Sequence, residues 1–437
     1  MNVNDTIAAI ATPPGKGGIG VIRLSGPDAL SIAQQLCAVK LVPRQAHYVK
    51  FKQTQQEVID TGLALFFEKP SSFTGEDVVE LHGHGGPIVQ DQLLACVISR
   101  GARQARAGEF SERAYLNDKI DLTQAEAIAD LIDSGTQQAA RGAIRSLQGT
   151  FSEKIEALLK ELIYLRMYVE AAIDFPDEEI DFLADDKIRN SIENLQQSVS
   201  KTIHQAGQGA ILRNGLRLVI AGKPNAGKSS LLNALSGYDA AIVTDIPGTT
   251  RDIVNETIDI DGLPVHIVDT AGLRDSDDTV EKIGIERARR AIKEADHTLL
   301  VCDVEDLVNQ PEVLTEHTIV FNKIDLLRSS ATHSLEGIKV SAKTGQGLDD
   351  LRKHIKTIAG LEHSTETLFT ARRRHLSALE KAESAISLGL QQLKRHNAGE
   401  LLADELLQAQ NALNEITGEF TADDLLGEIF SGFCIGK

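Results

Sequence analysis

The feature that most constrains this chain is an octapeptide near its middle. A strand-like run, LRLVIAG, leads into Gly222-Lys223-Pro224-Asn225-Ala226-Gly227-Lys228-Ser229 and then into the helix-like SSLLNALSG. GxxxxGKS between a strand and a helix is a phosphate-binding loop, and it commits the surrounding residues to a parallel α/β sheet. Glycines let backbone N–H groups curl around phosphate oxygens at a helix N-terminus. Lys228 brings positive charge to the outer phosphates, and the Ser229 hydroxyl can ligate Mg²⁺. Residues 214 to 360 fit this reading, because the strand-like runs VHIVDT, TLLVCDV, TIVFNK and IKVSA alternate with helical ones.

Four further motifs follow in order. Thr249-Thr250 stands where a switch threonine completes a metal shell, and Asp269-Thr270-Ala271-Gly272 ends a strand where a carboxylate holds Mg²⁺ through water. Asn322-Lys323-Ile324-Asp325 supplies a carboxylate that accepts from two neighbouring N–H groups of guanine; adenine would leave Asp325 unpaired. Ser341-Ala342-Lys343 makes the remaining wall of a base pocket. The series implies a guanine-nucleotide domain with Asn225, Ala226, Gly227, Lys228, Ser229 and Ser230 around the phosphates. Leu273 occupies the place where Ras-like enzymes carry a water-orienting Gln, so another group must position the water. Glu281 is either that group or a solvated surface carboxylate. Arg251 either stabilises transition-state charge or pairs with a surface acid. The Asn225 side chain either coordinates a monovalent cation or makes a turn bond.

On either side the texture changes. Residues 1–118 read as short strands (TIAAIA, GVIRLSG, GLALFF, DVVELHG) with helices between them, an α+β domain. Residues 119–213 and 361–437 read as helix, the first block opening on a capping-box pattern at Thr123-Gln124-Ala125-Glu126 and the GELLADELLQAQNALNEI helix ending at Gly418. Helical blocks flanking an α/β block suggest one helical domain interrupted by an insertion, with two independent helical domains as the alternative. The net charge of −18 argues against nucleic-acid binding over most of the surface. Four scattered cysteines give neither a disulfide framework nor a zinc motif, and no apolar run approaches the ~18 residues of a membrane span. These features point to the cytoplasm.

Weaker signals lie in the outer blocks. Gly15-Lys16-Gly17-Gly18-Ile19-Gly20 matches GxGxxG but is followed by a strand pattern, so it reads as a glycine-rich loop between strands and not as a dinucleotide site. His82 and His84 lack further ligands at metal-site spacing. The cations Arg100, Arg103, Arg106, Arg113 and Lys119 face either an anionic ligand or solvent. Cys434 is either a reactive or docking thiol or a structural one.

Several segments outside the nucleotide motifs carry a specific likeness: DTIAAIATPPGKGGIGVIRLSG, SFTGEDVVELHGHGG, GEFSERAYLNDKIDLTQAEAIADLI, EAAIDFPDEEIDF and EITGEFTADDLLGEIFSGFCIGK. With GKPNAGKSSLLNAL and TDIPGTTRD, they make the chain resemble, over essentially its whole length, the MnmE (TrmE) family of bacterial tRNA-modification GTPases. The resemblance implies a multidomain α+β and α/β protein. Its parts would be an N-terminal tetrahydrofolate-binding and dimerisation domain (1–118), a discontinuous all-helical domain (119–213 with 361–437) and an inserted Ras-like P-loop GTPase domain (214–360). It implies a homodimer that joins an FAD-dependent partner, MnmG (GidA), in a heterotetramer. That assembly would add an aminomethyl or carboxymethylaminomethyl group to carbon 5 of the wobble uridine of certain tRNAs, with a 5-formyl- or methylene-tetrahydrofolate as one-carbon source and tRNA held mostly by the complex. By the same resemblance K⁺ falls to Asn225, Thr244, Ile246 and Thr249, and Mg²⁺ to Ser229 and Thr250. Asp245, Pro247 and Gly248 complete the switch segment, Glu281 orients the water, and Arg23, Glu80, Lys119 and Lys437 contact the folate. A regulatory GTPase of ribosome assembly without modification chemistry is the competing expectation.

Overall fold

A computed structural model of the 437-residue chain describes residues 5–174, 186–237, 256–269, 293, 295–304, 317–327, 336–361, 369–396, 398–418, 423–433 and 436. It divides into two compact units, residues 1–129 with 413–437 and residues 130–412.

The first unit is built on strands β1 (Ile7–Ile10), β2 (Gly17–Ser25), β3 (His47–Lys52), β4 (Val58–Phe67), β5 (Val78–Gly85) and β6 (Arg103–Gln104). They form one sheet in the order β3-β4-β5-β2-β1-β6, antiparallel except where β6 joins β1 in parallel. Helices α1 (Ala29–Cys37), α2 (Pro87–Ile98), α3 (Glu109–Leu116) and α4 (Leu122–Asp133) follow the strands that precede them. Because side chains alternate along a strand, Ile22 and Leu24 of β2 and Val79 and Leu81 of β5 enter a core with Ile32, Leu36, Leu93 and Val97 of α1 and α2. Arg23 and Glu80 consequently lie on the opposite face. Three glycines of the Gly15–Gly20 run belong to β2, whose register against β5 shifts between Gly17 and Gly20. The run is thus mostly an irregular strand start, and less of it is loop than the sequence suggested. The capping box of α4 also lies earlier than its pattern implied. Asp121 Oδ1 accepts from Gln124 N at 2.9 Å and Thr123 Oγ1 at 2.7 Å, while Gln124 Oε1 accepts from Asp121 N at 3.0 Å. The carboxylate two residues upstream therefore caps the helix, and Thr123 supports it.

The second unit opens at Asp130 with the last turn of α4, followed by α5 (Gln137–Leu147), α6 (Thr150–Asp174) and α7 (Asp186–Asn214). Next come β7 (Leu216–Ala221), α8 (Lys228–Ser236), β8 (Glu256–Ile260), β9 (Leu263–Asp269), β10 (His297–Asp303), β11 (His317–Asn322), β12 (Ile338–Lys339) and α9 (Leu348–Ile358), and then α10 (Arg373–His396) and α11 (Gly399–Thr417). The final helix, α12 (Asp423–Ser431), returns to the first unit, where Phe430 and Phe433 pack with Leu122 and Ala125. The strand order is β12-β11-β10-β7-β9-β8, parallel except for the β8–β9 hairpin. β10 is buried on both faces, as a central parallel strand must be. After β7 the chain forms the edge strand β8, returns as β9 to pair beside β7, and then from β10 builds in the other direction. Ligands of open α/β sheets bind at such a switch, outside the carboxyl ends of the strands.

Candidate functional site

At that edge the carboxyl ends of β7, β9, β11 and β12 carry the sequence motifs. Gly222 leaves β7 at φ +148°, and a Cβ there would lie 2.2 Å from the Val301 carbonyl oxygen of β10. Only glycine lets the loop pass so close to a backbone that cannot move aside. Asn225 follows at φ +64°, and α8 begins at Lys228 with its first N–H groups turned toward the loop, the arrangement that binds anions. The buried Lys228 Nζ donates to the Gly222 and Lys223 carbonyls at 3.0 and 2.9 Å, which holds the ammonium inside the loop. Ala226, Gly227, Ser229 and Ser230 complete this turn and the start of α8.

Asn322, only 2% exposed, ties three motifs together. Its Nδ2 donates to Ala226 O at 3.1 Å and Gly227 O at 3.4 Å, and its Oδ1 accepts from Lys323 N at 2.8 Å and Ala342 N at 3.0 Å. Lys323, at φ +66°, sends its ammonium to Asp303 Oδ2 at 2.6 Å. Ser341 Oγ donates to Asp325 Oδ1 at 2.6 Å and accepts from Thr344 N at 3.2 Å. The phosphate loop, Asn322–Asp325 and Ser341–Lys343 are therefore neighbours. A carboxylate has about four acceptor positions, and Ser341 takes one from Asp325. Asp303 was missed by sequence reading, although a carboxylate ending an apolar strand is the same signal that marked Asp269. The Asp269 backbone pairs beside Ile220, next to the phosphate loop. Its side chain, and Thr244, Asp245, Ile246, Pro247, Gly248, Thr249, Thr250, Arg251, Thr270, Ala271, Gly272 and Glu281, lie outside the described residues.

In the first unit, pairing of β2 with β5 sets Arg23 opposite Glu80. Arg23 Nε and Nη2 donate to Glu80 Oε1 at 3.0 and 2.8 Å, and His82 Nε2 lies 3.0 Å from Glu80 Oε2. The guanidinium also lies 5.6 Å from the Phe73 ring and 5.8 Å from Phe110. Burial would raise the Glu80 carboxyl, but the Arg23 charge and the bonds from His82 and Arg23 outweigh it and hold the group below the usual carboxylate range. Lys119 is set apart from this pair by its bond to Pro70 O at 3.0 Å, though its stem lies against Gly75 in the same loop as Phe73. Cys434 and Lys437 lie outside the described residues. Gly436, at φ +98°, is so close to β1 that a Cβ would meet Ile10 O at 2.3 Å.

The cations of the basic run all bond within the chain, and Arg103, Arg106 and Lys119 are exposed to solvent as well. Arg103 binds Asp5 and Glu109 at 2.7 and 2.6 Å, Arg106 binds Glu112 at 2.8 Å, and Arg113 binds Asp5 and Glu76 at 2.5 and 3.1 Å. Arg100 donates to the carbonyls of Cys96, Lys52 and Gln53. The carboxylate partners are Glu109 and Glu112, within the run, and Asp5 and Glu76, far from it in sequence. His84 is claimed by Asp60, its Nδ1 lying 2.7 Å from Oδ1.

Comparison with known proteins gives the family. A family model described as the MnmE helical domain matches residues 122–434, and one described as the N-terminus of GTP-binding protein TrmE matches residues 6–119. The tRNA modification GTPase MnmE of Marinomonas sp. is 55% identical over 449 residues, covering 99% of this chain and 98% of that protein. Its counterpart in Chromohalobacter salexigens is 56% identical at the same coverage. Among solved structures, the G domain of the T. maritima FeoB iron transporter matches at 25% identity over 33% of this chain and 98% of that one, with a TM-score of 0.23. By its full-length relatives and both family models, the chain belongs to the MnmE (TrmE) family of tRNA-modification GTPases.

Proposed function

We propose that this GTP hydrolase of tRNA modification is stimulated by K⁺ and works with an FAD-dependent MnmG-type partner. Together they add an aminomethyl or carboxymethylaminomethyl group to carbon 5 of a wobble uridine from a folate one-carbon unit. The observation that carries the nucleotide half is Asn322, which joins the phosphate loop to the Asp325 and Ser341 walls of the base pocket. The Arg23–Glu80 pair supports the folate half, since a carboxylate suits a pterin N–H edge and Arg23 and Lys119 suit glutamyl carboxylates.

Within this reading residues 214–360 form the inserted GTPase domain, 119–213 with 361–437 the helical domain, and 1–118 the folate-binding and dimerisation domain. Lys228 neutralises charge on the outer phosphates, Ser229 and Thr250 hold Mg²⁺, and Asn225 with Thr244, Ile246 and Thr249 holds K⁺. Ala226, Gly227 and Ser230 line the phosphates, Asp245, Pro247 and Gly248 shape the switch, and Asp269 to Gly272 (Asp269, Thr270, Ala271, Gly272) close on the γ-phosphate. Glu281 orients the water, and Arg251 stabilises developing charge. Lys323, Asp325, Ser341, Ala342 and Lys343 enclose guanine. Lys437 completes the folate contacts, and Cys434 is a thiol next to them in sequence. The protein acts as a cytoplasmic homodimer; among the described residues no helix is long and apolar enough to cross a membrane.

GTP hydrolysis is expected to be at least tenfold faster in KCl than in NaCl and to collapse in Glu281→Ala; equal rates in the two salts would remove the K⁺ assignment. Nucleoside analysis of tRNA from cells lacking the protein should show an unmodified wobble uridine. An unchanged nucleoside profile would instead favour a ribosome-assembly role.

A further inference from the structure

Three stretches of the second unit meet around Phe369 and Thr370. From α5, Ser146 Oγ accepts from Thr370 N at 3.0 Å and bonds Thr370 O at 3.2 Å. From α7, a Cβ on Gly209 would lie 2.1 Å from Phe369 O. From α6, the Phe151 ring stacks on Phe369 with centroids 4.5 Å apart.

The charge here is unlike that of the whole molecule. Residues 137–152, 194–214 and 369–379 contain Arg141, Arg145, Lys201, Arg213 and the run Arg372-Arg373-Arg374, and no Asp or Glu, in a chain whose net charge is −18. Asp130 reaches in to bind Arg213 at 2.6 Å and Arg372 at 2.7 Å. Arg141, Lys201 and Arg373 are exposed. The arginine run enters the first turn of α10, which has no acidic residue, at the end of the helix where the backbone dipole already disfavours cations. On the neighbouring α6, burial first and the Lys201 charge second hold Lys154 below the usual lysine range.

We propose that this basic cluster of α5, α7 and the start of α10 is a docking surface for the phosphodiester backbone of RNA. It rests on the tRNA-modification reading and names the part of this chain that meets that substrate. Arginines beside a helix N-terminus suit phosphate oxygens in both geometry and charge. A protein partner is less well matched, because interface hot spots combine arginines with aromatic anchors, and these three stretches expose no Phe, Tyr or Trp, Phe151 and Phe369 being buried. The only large apolar side chain these three stretches expose is Ile144.

The test is binding of a fluorescently labelled tRNA transcript to the full chain, measured as a function of KCl. Wild type and the double variant Arg141→Glu/Arg373→Glu are compared, with Arg141→Gln/Arg373→Gln as the milder pair should the first fail to fold. Basal GTP hydrolysis and the thermal transition should not change. Affinity at low salt should fall at least tenfold, and the slope of log K against log[KCl] should become shallower by about 1.5, since each lost phosphate contact removes about 0.7–0.9. Unchanged affinity and slope would overturn the proposal, as would the absence of tRNA binding by wild type at low salt. Loss of a protein partner from the variant, with tRNA binding intact, would overturn it in favour of an acidic protein surface. None of these outcomes touches the wobble-nucleoside experiment, so the broader reading stands or falls separately.

Discussion

Asn322 shows how one buried amide can organise a site assembled from distant residues. Its carbonyl and amino groups serve the phosphate loop, the turn into Asp325 and the Ser341–Lys343 segment at once. In Asn322→Ala the Ala342 and Lys323 N–H groups and the Ala226 carbonyl lose their partner, and each buried unsatisfied group costs about 1–3 kcal/mol. We expect GDP affinity to drop on the order of a hundredfold, equivalent to ~2.7 kcal/mol, with a lowered thermal midpoint. Titration calorimetry showing less than a threefold loss would contradict this role. The motif itself was legible, because Asn322-Lys323-Ile324-Asp325 is contiguous and each residue type has a chemical reason to be there. The Arg23–Glu80 pair was not legible from spacing. Those residues are 57 positions apart, and only the β2–β5 register makes them neighbours; the resemblance to relatives, not the pattern, singled them out.

At the scale of elements, legibility followed the strength of the apolar run. The strands whose apolar residues enter a core, such as β2, β5, β7 and β10, stood out as periodic or continuous apolar runs. The strands β3, HYVKFK, and β8, ETIDI, did not, although Val49, Phe51, Ile258 and Ile260 enter the cores, because charged residues interrupt their short apolar alternation. The Arg103–Arg113 region failed for another reason: charge runs reveal nothing about which carboxylates fold back upon them. Here Asp5 (just before β1), β6 and α3 are joined by ion pairs around Glu109, whose side chain is 3% exposed. Burial would raise the carboxyls of Glu109 and Asp5, but bonds from Arg103, with Arg106 N or Arg113, hold both below the usual range. A depressed folded pKa means that the associated stability is fully present above the ordinary carboxylate value of about 4 and is lost as pH falls through the lower folded values. The thermal midpoint of the first unit should therefore hold from pH 7 to about 5 and then drop steeply. Glu109→Gln should lower it at pH 7 by the equivalent of ~3 kcal/mol, the scale for breaking a buried pair, and flatten the acid limb. Parallel acid limbs in wild type and variant would show that the network contributes little.

For the whole molecule, the acidity that seemed to argue against nucleic acid is unevenly spread. By block it is −1 for residues 1–118, −6 for 119–213, −6 for 214–360 and −5 for 361–437, so a local basic cluster can exist inside an acidic chain. The same region around Asp130 bears on whether the α/β part is an insertion. Arg213 comes from the last turn of α7, just before β7 begins, and Arg372 from just before α10, and both bind one carboxylate. Gln208 Nε2 also donates to Gly360 O at 2.5 Å, close to the point where the chain leaves α9. The two crossings are thus near each other, with Gly360 beside Gln208 and Asn214 about 9 Å further along the helix at 1.5 Å per residue. A six-residue Gly/Ser linker spans roughly 13 Å on average, enough to join Asn214 to Leu361 without disturbing Asp130. The excised chain lacking 215–360 should therefore remain monodisperse, show a helix-dominated circular dichroism spectrum and unfold cooperatively. Hydrogen exchange at α5, α6, α7 and α10 should also stay slow, since the Phe151–Phe369 stack and the Ser146–Thr370 bonds involve no residue of the removed segment. Aggregation, or fast exchange throughout these helices, would mean that the α/β part is needed to hold the helical part together and is not an insertion into a self-sufficient domain.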